Sequence, residues 1–193
     1  LTGVNNIAEI WNPATGTWTR GYEGALARLY HSSALLLPDA TVLVAGGGAP
    51  GPLVNLNAEI YYPPYLFTAA GTLAPRPSIV NAPQFTDIGK TFRVDVAAGS
   101  TVSRVTLVKT GSVTHSWNME QRFQNLTFQA SGTQLSVQAP TRAALAPPGY
   151  YLLFVLDSAG ERAITHHDVS PNGRSLYVVR RLDQADIWMM ERR

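Results

Sequence analysis

Cysteine is absent from the 193 residues. Disulfides, thiolate-held zinc and cysteine nucleophiles are therefore excluded within the chain, while the redox compartment stays open. Lysine is scarce, with only Lys90 and Lys109, so the basicity behind a sequence pI of about 9.1 comes from arginine. Net charge is only +2, and Arg180, Arg181, Arg192 and Arg193 crowd one end. A nucleic-acid footprint would want a broader basic face with stacking aromatics, so this reads as solvated arginine and no nucleic-acid partner is expected. No apolar run approaches the roughly 18 residues of a membrane span, so no membrane partner is expected. The chain opens at Leu1-Thr2-Gly3 with no basic segment or apolar core of a signal peptide. A mature secreted form and an internal fragment both look like this. What is present, 45% hydrophobic residues and a mean hydropathy of −0.02, is the composition of a globular protein.

The stretch Ala27 to Gly48 organises the rest. Its second half reads as a β-hairpin, with an apolar run Ala34–Leu37, a Pro38-Asp39 turn and a β-branched run Val42–Val44 leading to a glycine triplet. Its first half sets a phenol and an imidazole side by side, Tyr30 and His31. On a regular strand adjacent side chains face opposite ways, so the two can share a ligand only at a strand entrance or in a rim loop. Imidazole nitrogen and phenolate oxygen both suit copper(II).

The fold class expected is all-β. The segment Ala8-Glu9-Ile10-Trp11-Asn12-Pro13 returns fifty residues later as Ala58-Glu59-Ile60-Tyr61-Tyr62-Pro63. A period near 50 with a glycine step and an aromatic in each unit predicts partial kelch-type propeller blades, about two of them incomplete, over residues 1–74. Such blades cannot close a ring, and their uncovered faces call for association or for a partner chain or segment supplying the remaining blades. Thr68 to Ser78, rich in Ala, Gly, Thr and Pro, reads as a linker or crossing. Beyond it, short β-type runs with turn residues between them predict an immunoglobulin-like (E-set) sandwich over residues 75–160. Residues 161–193 form a divergent tail.

Four segments carry a family resemblance. They are Arg28-Leu29-Tyr30-His31-Ser32 with Leu35-Leu36-Leu37-Pro38-Asp39, Ala58 to Leu66, Thr114-His115-Ser116-Trp117-Asn118-Met119-Glu120-Gln121-Arg122, and Pro147 to Val155. In this order and spacing the chain, from about Ala8 to Gly160, resembles the C-terminal part of the galactose oxidase and glyoxal oxidase family of copper radical oxidases. The resemblance implies one copper held by His31 and His115 as nitrogen ligands and by Tyr30 as the axial phenol that accepts the substrate proton. It also implies an oxidase that turns a primary alcohol or aldehyde and O2 into product and H2O2, and an extracellular or secreted location. The family's other ligand is a tyrosine cross-linked to cysteine, earlier in the chain than anything present here. With no cysteine to supply that cross-link, the chain is expected to be inactive by itself.

Other features point less sharply. His166-His167-Asp168 lies in a loop context more typical of solvent-exposed histidines than of a metal cluster. Asn125-Leu126-Thr127 fits a glycosylation sequon but overlaps a predicted strand. In the tail, Ser170-Pro171-Asn172-Gly173-Arg174 followed by a strand and Asp186-Ile187-Trp188 resembles one TolB-type propeller repeat, with a last sandwich strand at Ser175 to Leu182 as the alternative. The competing function is a non-catalytic module binding carbohydrate or protein. Copper is the candidate cofactor. The geometric requirement is plain: imidazoles of His31 and His115 more than about 8 Å apart cannot share one ion.

Overall fold

The structure is a computed structural model that describes residues 2–12, 15–115 and 117–157. Strands β1 (Ile7–Asn12) and β2 (Thr17–Glu23) form an antiparallel hairpin. Its pairing sets Trp11 opposite Trp18, with ring centroids 5.2 Å apart. The next three strands, β3 (Ser33–Leu36), β4 (Val42–Ala45) and β5 (Ala58–Tyr61), make an antiparallel sheet in the order β3-β4-β5. The β3–β4 turn falls where Pro38-Asp39 places it. Asp39 accepts the backbone N–H and the hydroxyl of Thr41, and the buried Tyr65 hydroxyl donates to the Ala40 carbonyl at 2.8 Å.

A single 3-10 turn, Pro64–Leu66, leads out of the sheet. Thr68 to Thr72 then closes a hydrogen-bonded turn that brings Leu73 back against Phe67, and Arg76 donates to the Asp39 carbonyl. Two further sheets follow. One has the order β12-β13-β7-β6, from β6 (Ile79–Asn81), β7 (Thr91–Val96), β12 (Phe128–Ser131) and β13 (Gln134–Gln138). The other has the order β11-β8-β14, from β8 (Arg104–Lys109), β11 (Phe123–Leu126) and β14 (Tyr151–Leu156). A short hairpin of β9 (Val113–Thr114) and β10 (Trp117–Asn118) projects between β8 and β11.

Alternation decides the packing. On β7 and β13, Val94 lies opposite Leu135 and Phe92 opposite Val137, so one face turns to the core while Arg93 and Ser136 turn out. On β8 and β14 both faces are buried: Val105 and Val155 on one, Thr106 and Phe154 on the other. A strand buried on both faces reads as a continuous apolar run, as Tyr151-Leu152-Leu153-Phe154-Val155-Leu156 does. Ala40, Tyr65 and Leu66 belong to the same buried cluster as Val94, Val105, Leu135 and Phe154, so the core runs from the β3–β4 turn into the paired sheets.

The architecture is all-β and consistent with an E-set sandwich, but the expectation of kelch-type propeller blades is overturned. Among the described residues no sheet is closed or curled into a propeller. The fifty-residue repeat supplies only β1 and β5, and these sit in different sheets, one pairing with β2 and the other with β4. Strands satisfy their backbone groups with the nearest antiparallel neighbour, and a two-stranded hairpin beside a three-stranded sheet is what residues 7–61 offer. The tail readings, the TolB-type repeat and the last strand at 175–182, lie outside the described residues, as do His166, His167 and Asp168. Among the described residues no helix is long and apolar enough to cross a membrane.

Candidate functional site

Tyr30 and His31 sit in the turn that enters β3. The Ser32 N–H donates to the Leu29 carbonyl at 3.1 Å, and the Gly48 N–H to the Tyr30 carbonyl at 2.7 Å. His31 has φ of +67°. This left-handed step takes the pair out of strand geometry, which allows adjacent side chains to face one way: their ring centroids are 3.7 Å apart at an interplanar angle of 34°. The glycine triplet makes room for the turn. A Cβ on Gly47 would stand 2.9 Å from Ser32 Cβ, and one on Gly48 would collide with the Leu53 carbonyl.

His115 arrives from the opposite side. It is the first of the two residues between β9 and β10, and its φ of +51° is the positive value that two-residue hairpins favour. The hairpin is braced by Asn118 Oδ1, which accepts the N–H groups of Ser112 and Glu120, and by a 2.9 Å ion pair from Lys109 to Glu120. It lies against β3 because residue 111 is glycine, where a Cβ would stand 2.8 Å from Leu35 Cδ2.

The two segments meet. His115 Nε2 lies 3.1 Å from the Tyr30 hydroxyl, while its Nδ1 is held by Thr114 Oγ1 at 2.7 Å. The centroids of His31 and His115 are 5.3 Å apart at 76°. An imidazole nitrogen about 2.0 Å from a metal sets its ring centre about 3 Å away, so two rings on one ion have centres roughly 4–6 Å apart. Two cis ligand atoms of one ion lie about 3 Å apart by the same geometry, close to the Tyr30–His115 distance. The two ring centres and the phenol oxygen thus stand at separations that one copper-sized ion would require. All three side chains are exposed, Tyr30 at 56%. Two of the three non-glycine residues with positive φ among those described are these histidines. Each left-handed residue costs about 1–2 kcal/mol, and such strain gathers at functional sites.

The centre is nonetheless incomplete, which corrects the expectation of copper-site features in full. Among the described residues no three His, Cys, Asp or Glu side chains gather, and the chain has no cysteine. Two clefts lie elsewhere: one of about 870 Å³ at the sandwich end near Phe85 and Tyr150, and one of about 860 Å³ between the β1–β2 hairpin and the β3-β4-β5 sheet. Neither is lined by Tyr30, His31 or His115.

Comparison with known proteins decides the family. A family profile described as "Galactose oxidase-like, Early set domain" matches residues 76–177. The chain belongs to the galactose oxidase-like family. The match extends past the sandwich as drawn from sequence and takes in part of the tail. A galactose oxidase of Gibberella zeae is 36% identical over 156 residues, which cover 79% of this chain and 23% of that protein. An aldehyde oxidase of Vitis pseudoreticulata is 32% identical over 151 residues, covering 69% of this chain and 28% of it. Among solved structures, a fungal alcohol oxidase of the AA5 family in complex with copper superposes with a TM-score of 0.72 at 30% identity, over 90% of this chain and 36% of that one. The chain thus spans between 23% and 28% of the length of these two curated relatives.

Sequence reasoning named Tyr30, His31 and His115 but missed the residues that hold them. Arg28, Glu59, Thr114 and Gly111 carry no motif of their own. Only the fact that Arg28, Glu59 and Thr114 fall in three of the segments carrying the resemblance hinted at a shared task.

Proposed function

We propose that Tyr30, His31 and His115 hold one copper ion. They would form the copper-and-phenol half of an oxidase centre whose parent protein oxidises a primary alcohol or aldehyde with O2, giving H2O2. The observation that carries this reading is the meeting of a phenol and two imidazoles from segments 85 residues apart, with the Tyr30 hydroxyl 3.1 Å from His115 Nε2. Copper would supply one-electron redox capacity and Lewis acidity. The chain's own residues do the rest. His31 and His115 would present ring nitrogens, Thr114 orients the His115 ring, and the exposed Tyr30 oxygen would take a proton from an incoming hydroxyl. No cysteine is available for the family's tyrosine cross-link, so the isolated chain would bind metal without turning over. The partner would be the larger part of an oxidase, which this chain does not span, and the location extracellular, as the resemblance implies. Residues 1–74 and 75–160 would serve as the two units that bring Tyr30 with His31 and then His115 to one point.

A second reading, a non-catalytic module that binds carbohydrate or protein, is favoured by the paired residues Trp11 and Trp18, which are 42% and 65% exposed. Copper titration separates the two. The expected result is one Cu(II) per chain with nitrogen couplings in its EPR spectrum, lost in His115→Ala, and no peroxide from galactose or glyoxal. Copper uptake unchanged in His115→Ala would overturn the assignment of the ligands, and peroxide production would overturn the inactivity.

A further inference from the structure

We propose that Arg28, acting with Glu59, is the positioning residue for the Tyr30–His31 pair. The Arg28 side chain is only 10% exposed. Its Nη2 and Nε donate to Glu59 Oε2 at 2.8 and 3.2 Å, and its Nη1 donates to the carbonyls of Gly46 and Asn57, both at 3.1 Å. The other oxygen of Glu59 accepts the Ala25 N–H at 2.8 Å, and Asn55 Nδ2 donates to the Ala27 carbonyl at 2.8 Å. The backbone at 25, 27 and 28 is therefore tied to β5, to the end of β4 and to the loop between them. Two residues on, the Tyr30 carbonyl is tied to Gly48, two positions past the glycine whose carbonyl Arg28 engages.

Those ties enclose the segment in which His31 takes its positive φ. A strained backbone step persists only where its surroundings over-determine it, and here the guanidinium anchors the segment that leads into the turn while the Ser32 and Gly48 N–H groups close it. Arginine suits this task and lysine does not. Four acceptor contacts in three directions need a rigid planar fork, whereas an ammonium offers one point of charge. None of these atoms reaches the metal-ligand atoms, so Arg28 acts through the turn and not on a substrate.

The test uses the full 193-residue chain with Arg28→Lys and Glu59→Gln, and it rests on the copper reading for one of its two readouts. The first readout is Cu(II) affinity by calorimetry. The second, free of metal, is the ring proton resonances of His31, which sense the Tyr30 ring stacked at 3.7 Å. Both variants should unfold cooperatively on heating. They should bind copper about tenfold or more weakly, as removal of outer partners of metal ligands does, with His31 signals moved and His115 signals held. Affinity within about twofold of the parent, with unmoved His31 signals, would overturn the proposal. If the parent chain itself takes up no copper, the copper reading fails and the His31 resonances alone decide the role of Arg28.

Discussion

Replacing Gly48 by alanine should be among the most damaging small changes available to this chain. Gly48 has φ of +98°, its N–H donates to the Tyr30 carbonyl, and an ideal Cβ there would overlap the Leu53 carbonyl. Three costs add. The left-handed backbone costs an L-residue about 1–2 kcal/mol. Backing away from Leu53 gives up the hydrogen bond to Tyr30, about 1 kcal/mol. The same movement strains the neighbouring bond from the Asn55 N–H to the Gly47 carbonyl, another fraction of about 1 kcal/mol. The sum, about 2–4 kcal/mol, is a large share of a typical domain's 5–15 kcal/mol. Gly71→Ala is the matched control. Its φ is +77° with nothing within 4 Å of the built Cβ, so it incurs the backbone cost alone. Urea denaturation followed by tryptophan fluorescence measures both. If Gly48→Ala exceeds Gly71→Ala by less than about 0.5 kcal/mol, the glycine triplet does not support the Tyr30–His31 turn by close approach.

Tyr65→Phe should destabilise by about 1–3 kcal/mol, because it strands the carbonyl of the fully buried Ala40. In a spectrophotometric titration of the parent chain, the Tyr65 phenol, pushed above its ordinary range chiefly by burial, should stay protonated until the protein unfolds in alkali. Glu59 supplies the acid limb. The Ala25 N–H first, and then the Arg28 guanidinium, hold its carboxyl below the ordinary 4.5. Its stabilisation is therefore complete above that value and is lost as pH falls through the lower folded-state pKa. Urea midpoints from pH 6 down to about 3 should fall less steeply in Glu59→Gln than in the parent.

Much of the chain could be read from local pattern. The β3–β4 hairpin follows from a β-branched run and a Pro-Asp turn, and β7, β8, β13 and β14 fall on the alternating or continuous apolar runs that predict them, whereas the run Asn125–Phe128 straddles the break between β11 and β12. The propeller expectation failed for a physical reason. A repeated segment reports a repeated local fold but not its partners, and β1 and β5, the two copies, pair into separate sheets. Resemblance pointed at Tyr30, His31 and His115, but nothing in their spacing says that they meet.

That meeting belongs to tertiary structure. The sequence by itself determined the residue types: two imidazoles and a phenol, no thiol, and glycines at 46, 47, 48 and 111. Only the folded chain decided that Gly111 lets the β9–β10 hairpin lie against Leu35, that Arg28 gathers Glu59, Gly46 and Asn57, and that both histidines leave the right-handed region of the backbone. Strand periodicity is a local property, carried by residues two apart. The distance between His31 and His115 is fixed by contacts across more than 80 positions, each set by packing and hydrogen bonds that form only when the sheets are assembled.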